Sequence, residues 1–157
     1  MAFLNIVTSE NEILRKRSRE VIMIDERTLR LIDDMKDTLS KSGGVGLAAV
    51  QVGVLKRIFL IDMGKNLIVF INPVILETDG EREVLEGCLS CPGQWGYTKR
   101  PIKVKAEATN IQGERFVIEG EELLAQAIIH EYNHLEGKLF TDDAIHMLTE
   151  KELEEHL

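Results

Sequence analysis

At 157 residues, and with about 150 residues per domain as the ordinary scale, the chain is expected to form one domain, residues 1–157. Its 27 acidic and 19 basic side chains leave a net charge of −8, which argues against a nucleic-acid substrate, because phosphate-backbone binding needs a basic footprint. No apolar run approaches the roughly 18 residues of a membrane span, and MAFLNIVTSE has neither signal-peptide nor transit-peptide character, so a cytoplasmic protein with no membrane partner is expected.

In chain order, DERTLRLIDDMKDTLSKSGG places Leu29, Ile32, Met35 and Leu39 on one helical stripe. Asp25 is a candidate N-cap and Gly43-Gly44 a stop, which predicts a helix over 26–41. The run GGVGLAAVQVG follows, rich in glycines that allow close backbone approaches and ending on the polar Gln51. RIFLID, NLIVFINPVIL, IKVKAEATN and RFVIEG are β-branched or alternating runs separated by the turn signals TDGE and NIQGE, and predict antiparallel strands. From Gly120 to Gly137 no breaker intervenes, and the first half is apolar almost all round at Leu123, Leu124, Ala127, Ile128 and Ile129, which predicts a buried helix. Thr149 and Glu152 then stand in capping-box positions at the start of a short acidic helix, with Leu148, Leu153 and Leu157 available to pack. The order predicts an α+β fold, with antiparallel sheets packed around a central buried helix that carries the HExxH pattern.

That pattern lies in HEYNHLEG, residues 130–137. Residues four apart on a helix are offset by only about 40°, so His130 and His134 can present both imidazoles to one ion, with Glu131 beside them as a candidate general base. Burying two imidazoles and a carboxylate without partners would cost on the order of 1 to 3 kcal/mol each, and a metal would relieve all three. A catalytic site has three protein ligands and one open position. One protease pattern, HExxHxxGxxH, is met through Gly137 but fails at Phe140, and a glutamate from the acidic tail is a poor substitute. Upstream, EGCLSCPG offers Cys88 or Cys91 as a thiolate ligand. A closed Cys₂His₂ structural zinc site is the non-enzymatic alternative. Against it, Cys91 and His130 are about 40 positions apart, compared with roughly 12 to 15 residues in a compact finger. A thioredoxin-like role for the CxxC is weaker still, because Pro-Gly and strands follow it, not a helix.

Together GVGLAAVQ (44–51), EGCLS (86–90) and HEYNH (130–134) resemble, in order and separation, the three signature motifs of the peptide deformylases, and the likeness runs over nearly the whole chain. The resemblance implies a metal-dependent hydrolase that removes the formyl group from N-terminal formylmethionine of newly made polypeptides and releases formate. It implies Cys88, His130 and His134 as metal ligands, Glu131 as general base and then acid, and Gln51 with the Leu89 backbone N–H at the developing oxyanion. Val45 and Gly46 are expected along the substrate. Leu123 and Ala127 share the ligand face of the helix and are expected to line the slot for the methionine side chain; Cys91 is expected to be a buried, inert thiol.

One divalent ion per chain is implied, Fe²⁺ by the resemblance, although a Cys-His-His set favours Zn²⁺ or Ni²⁺ in the general affinity order. Three positions depart from the usual motifs: Asn133 in place of an aspartate, Val50 in place of proline or a small residue, and Cys91 in place of an aliphatic side chain. The basic C-terminal helix by which some members dock on ribosomes is replaced by MLTEKELEEHL, so any ribosome contact is expected elsewhere.

Overall fold

The computed structural model describes residues 2–156. Helix α1 spans Glu26–Ser42. The Asp25 carboxylate accepts a hydrogen bond from the Thr28 amide at 2.9 Å, and Gly43 closes the helix in the left-handed region at φ 73°. Ile32, Met35 and Leu39 are buried as their spacing predicts, but Leu29 is 36% exposed.

After α1 the chain forms β1 (Gly46–Ala48), a 3₁₀ turn at Ala49–Val52, β2 (Ile58–Asp62) and β3 (Leu67–Asp79). A hairpin follows, β4 (Arg82–Cys88) and β5 (Cys91–Arg100), then β6 (Lys103–Thr109) and β7 (Arg115–Glu121). The helices α2 (Leu123–Leu135) and α3 (Phe140–Asp143), the short β8 (His146–Met147) and α4 (Glu150–His156) complete the described residues. Two antiparallel sheets result, one of five strands in the order β1-β2-β3-β6-β7 and one of three in the order β4-β5-β8.

The five-stranded sheet separates two apolar clusters. On one face Phe59, Ile61, Phe70, Val104 and Ala106 pack with Ala125, Ile128 and Leu135 of α2. On the other, Ile58, Leu60 and Ile71 pack with Ile32, Met35 and Leu39 of α1. β2 is therefore covered on both sides, which explains why RIFLID reads as a continuous apolar run, without the alternation of a half-solvated strand. Each fully buried side chain of this size contributes roughly 1.5 to 3 kcal/mol, and Phe59 stacks on Phe70 with ring centroids 4.5 Å apart.

The buried helix begins later than the sequence predicts. Gly120 and Glu121 still belong to β7, and Glu122 turns the chain with φ 52°. A Cβ at Gly120 would lie 2.8 Å from the Leu124 side chain, so this glycine lets α2 fold back over the strand that precedes it. The far end of α2 is fastened by the buried Arg57, which donates to the carbonyls of Ser18 and Leu135 at 3.3 and 3.2 Å and pairs with Glu136 at 2.7 Å. Leu123, in the apolar first half of this helix, is 47% exposed.

The three-stranded sheet is absent from the sequence expectation. β5 carries Pro92, Gly93 and Gly96, which mask a strand pattern, and its inward positions include Thr98 and Arg100. At the C-terminus the expected capping box is present: the Thr149 hydroxyl accepts from the Glu152 amide at 3.2 Å, and the Glu152 carboxylate accepts from the Thr149 amide at 3.1 Å. Leu148 and Leu153 are half-buried; Leu157 lies outside the described residues.

Candidate active site

Three segments far apart in sequence meet where α2 crosses the β4–β5 hairpin and the loop after α1. Cys88 comes from the end of β4, His130 and His134 from successive turns of α2, and one donor atom of each lies within 4.8 Å of the others. Cys88 Sγ is 3.3 Å from His134 Nε2. Among the described residues this is the group of His, Cys, Asp and Glu side chains placed to hold a metal, and Cys91 is not part of it. Cys91 is buried beside α2 and also borders the cavity; its absence from the donor group argues against the closed Cys₂His₂ alternative.

The site's electrostatics follow from its burial. His134 is fully buried, which holds its pKa well below the ordinary value and keeps it neutral, as a metal ligand must be. His130 faces the same penalty, but its hydrogen bond to Glu86 and the nearby Glu131 carboxylate outweigh it and raise its pKa. The hydrogen bond that the Cys88 thiol donates to Cys91, together with burial, pushes the Cys88 thiol up, and the Glu131 charge adds to this. A thiolate there requires a cation. Glu131 is fully buried, and burial raises its pKa to about 7. Its Oε1 has no hydrogen-bond partner, nor has His134 Nδ1. Two borderline nitrogens, one thiol and an unpartnered carboxylate oxygen around one point suit a borderline divalent ion with one open position.

His130 is aimed by its neighbours. Its Nδ1 donates to Glu86 Oε2 at 2.5 Å, which leaves Nε2 for the metal. Glu86 in turn accepts from Thr98 Oγ1 at 2.8 Å and from Arg100 through both oxygens at 3.0 and 3.1 Å. The cost of burial is outweighed by the hydrogen bonds and charges of His130 and then Arg100, which depress the Glu86 carboxyl to about 2. Glu86, Thr98 and Arg100 form the part of the site that sequence reasoning missed. Their signal was a run of polar side chains at alternate, inward positions of a hairpin, visible only once the register of β4 and β5 is known.

Gln51 sits at the 3₁₀ turn, 1% exposed. Its Oε1 accepts from the Ala48 amide at 2.9 Å, and its Nε2 donates to Ser90 Oγ at 3.1 Å while lying 3.6 Å from Cys88 Sγ. Both Nε2 hydrogens thereby have acceptors, and the amide is held beside the ligand cluster. Gly46 faces Glu131. A Cβ at Gly44 would meet the Leu89 side chain at 2.9 Å, so the glycine run gives the site room on two sides.

A cavity of about 510 Å³ opens over His130 and Glu131. Val45, Gly46, Leu89, Leu123 and Ala127 all line it, so the residues expected along the substrate share one wall system with Gln51 and Cys88. Leu123 owes its exposure to this cavity. Trp95, not singled out in the sequence, lies across Gly87 and adds an aromatic wall; a Cβ at Gly87 would be 2.6 Å from its ring.

The family model described as Polypeptide deformylase matches residues 3–150. The peptide deformylase of Clostridium botulinum is 56% identical over 142 residues, covering 90% of this chain and 97% of that protein. That of Acetivibrio thermocellus is 52% identical over 154 residues, covering 98% and 91%. Among solved structures, the peptide deformylase of Thermotoga maritima superposes with a TM-score of 0.89 at 36% identity, over 92% of this chain and 99% of that one. A Synechococcus elongatus peptide deformylase in complex with actinonin gives 0.88 at 34% identity, over 97% and 82%.

Proposed function

Because this chain belongs to the polypeptide deformylase family, we propose that Cys88, His130 and His134 hold its metal and that Glu131 moves the protons of the reaction. The chain is a metal-dependent hydrolase that removes the N-formyl group from nascent polypeptides. The observation that carries the residue assignment is the convergence of those three donors beside a buried carboxylate with an unpartnered oxygen, at the floor of a cavity.

When bound, the ion supplies Lewis acidity that makes water a nucleophile near neutral pH. Glu131, with a pKa near 7, is matched to take a proton from that water and return it to the departing amine. The Gln51 side-chain amide and the Leu89 backbone N–H serve the formyl oxygen, where negative charge develops; one such donor is worth roughly 2.7 to 4 kcal/mol in the transition state. Val45 and Gly46 lie along the peptide, and Leu123 and Ala127 receive the side chain of the first residue, methionine. Formate and a free α-amine are the products.

The resident ion is Fe²⁺, with Zn²⁺ and Ni²⁺ as competitors for the same donors. The whole chain acts as one catalytic domain. Among the described residues no helix is long and apolar enough to cross a membrane, and the enzyme works in the cytoplasm, where formylated nascent chains are made. Any contact with the ribosome uses a surface other than the acidic C-terminus.

The test is formate release from formyl-Met-Ala peptides by metal-loaded protein, alongside metal analysis of two variants. Cys88→Ser should lose the metal and Cys91→Ser should keep it. Metal loss in both, without formate release by the unaltered chain, would support a closed structural site and end this reading.

A further inference from the structure

Cys88 and Cys91 are directly opposed partners in the β4–β5 ladder, joined through Leu89 and Ser90. Opposed residues of an antiparallel pair have Cα atoms about 4.5 to 5.5 Å apart, inside the range of roughly 4.4 to 6.8 Å that a disulfide spans. The turn is pinned from both sides: the Ser90 carbonyl accepts from the Ser9 amide at 2.8 Å and the Ser90 hydroxyl accepts from Gln51 at 3.1 Å. Cys88 is part-exposed and Cys91 is buried, yet both contribute to the wall of the cavity. A small oxidant entering that cavity meets the Cys88 sulfur first, with a second thiol held behind it.

We propose that Cys88 and Cys91 form a reversible disulfide, with a hydroperoxide as oxidant, that withdraws the thiolate from the metal site. The inference rests on Cys88 being a ligand. In the first step the Cys88 thiolate attacks the peroxide oxygen, the O–O bond breaks, and the released alkoxide or hydroxide takes a proton, leaving Cys88 as a sulfenic acid. In the second, the Cys91 sulfur attacks the Cys88 sulfur, expelling hydroxide, which leaves as water with the Cys91 proton. Overall two thiols and one hydroperoxide give one disulfide, one alcohol (or water) and one water. Intramolecular attack has the advantage of proximity over a second encounter with peroxide, so the disulfide forms before Cys88 climbs to sulfinic or sulfonic acid. His130 and His134 alone then hold the ion, and it leaves. Thiol reductants restore both sulfurs.

The experiment treats zinc-loaded protein with hydrogen peroxide and follows intact mass, released zinc by a chromogenic chelator, and the peptide spanning 88–91. Expected is a loss of two hydrogens, zinc release in step with it, and recovery of both mass and zinc binding with dithiothreitol. Cys91→Val should bind zinc normally before treatment, then gain two or three oxygens at Cys88 and fail to rebind zinc after reduction. The proposal is overturned if the unaltered chain gains oxygens at Cys88 while Cys91 remains alkylatable, or if Cys91→Val recovers zinc as fully as the unaltered chain. A Cys88→Ser variant that still holds zinc would instead overturn the ligand assignment; the mass change reports on the disulfide by itself.

Discussion

The absent side chain of Gly46 is the space in which the Glu131 carboxylate sits: a Cβ at Gly46 would lie 2.5 Å from Glu131 Oε2 and 2.9 Å from Cδ. Gly46 is in β1 and is not among the positive-φ glycines, so its backbone would accept alanine. Gly46→Ala should therefore act by displacing the carboxylate, without straining the chain. Turnover should fall by about tenfold or more, a share of the 10² to 10⁴-fold ascribed to a positioned acid-base group, with bound metal and melting temperature little changed. Full activity in metal-replete Gly46→Ala would show that Glu131 need not occupy this position.

Glu131→Gln keeps the shape of the side chain and removes its basicity. Metal stoichiometry should stay at one while kcat drops by roughly 10² to 10⁴-fold. Gln51→Ala should likewise retain metal, with its loss of about 10² to 10³-fold appearing in kcat and not in KM, as for a contact that strengthens in the transition state. A Glu131→Gln enzyme within tenfold of the parent would rule out the proton-transfer role.

Glu86 touches no substrate, yet it orients His130 through Nδ1 and is itself held by Arg100. Glu86→Gln weakens that alignment, and outer partners of metal-bound histidines are worth about 10 to 100-fold in affinity. Competition with a chelator should reveal a shift of that size. Arg100→Met should do the same with a larger loss of stability, because it leaves a buried carboxylate without its cation. Unchanged metal affinity in both variants would assign the triad to folding alone.

Leu123 and Ala127, seven and three positions before His130 on α2, line the cavity. Leu123→Ala should raise KM for formyl-Met peptides more than for formyl-Ala peptides, because the smaller side chain makes less use of that wall. Leu123 is 47% exposed, so little stability should be lost. Equal changes for both peptides would leave Leu123 without a role in selectivity.

Deleting residues 148–157 removes the capping box and the bond from the Leu148 amide to the Trp95 carbonyl at 2.8 Å. A loss of about 1 kcal/mol for the cap alone lowers the melting temperature by roughly 2 to 4 °C in a chain of this size. Ribosome co-sedimentation should not change, since an acidic segment gains nothing from phosphates. Salt-sensitive binding that vanished with the segment would contradict this.

What could be read from the sequence was whatever depends on local spacing. The i, i+4 offset of His130 and His134, the caps of α1 and α4 and the runs of β2, β3, β6 and β7 each follow from rules spanning a few residues. The hairpin β4–β5 did not, because Pro92, Gly93 and Gly96 dilute its pattern and its buried face holds Glu86, Thr98 and Arg100 instead of aliphatics. Leu123 and Ala127 were legible as a pair, because positions seven and three before His130 share its helix face, and both border the cavity; the degree of exposure of Leu123 was not, since an apolar residue on an apolar helix reads as buried. The choice between Cys88 and Cys91 as ligand rested on the resemblance, since both flank one turn; in the fold it is the Cys88 sulfur that lies with the two histidines.

The proposed ligands lie on different layers of the fold: Cys88 belongs to the three-stranded sheet, while His130 and His134 ride on a helix packed against the five-stranded one. In the unfolded chain those donors are about 40 residues apart, so the ion binds the native state almost exclusively and its binding free energy becomes folding free energy. With free metal at a thousand times its dissociation constant this linkage is worth about 4 kcal/mol. Stripping the ion should thus loosen the junction between the two sheets first, and slow amide exchange in β4 and β5 should depend on metal concentration while that of the doubly covered β2 does not.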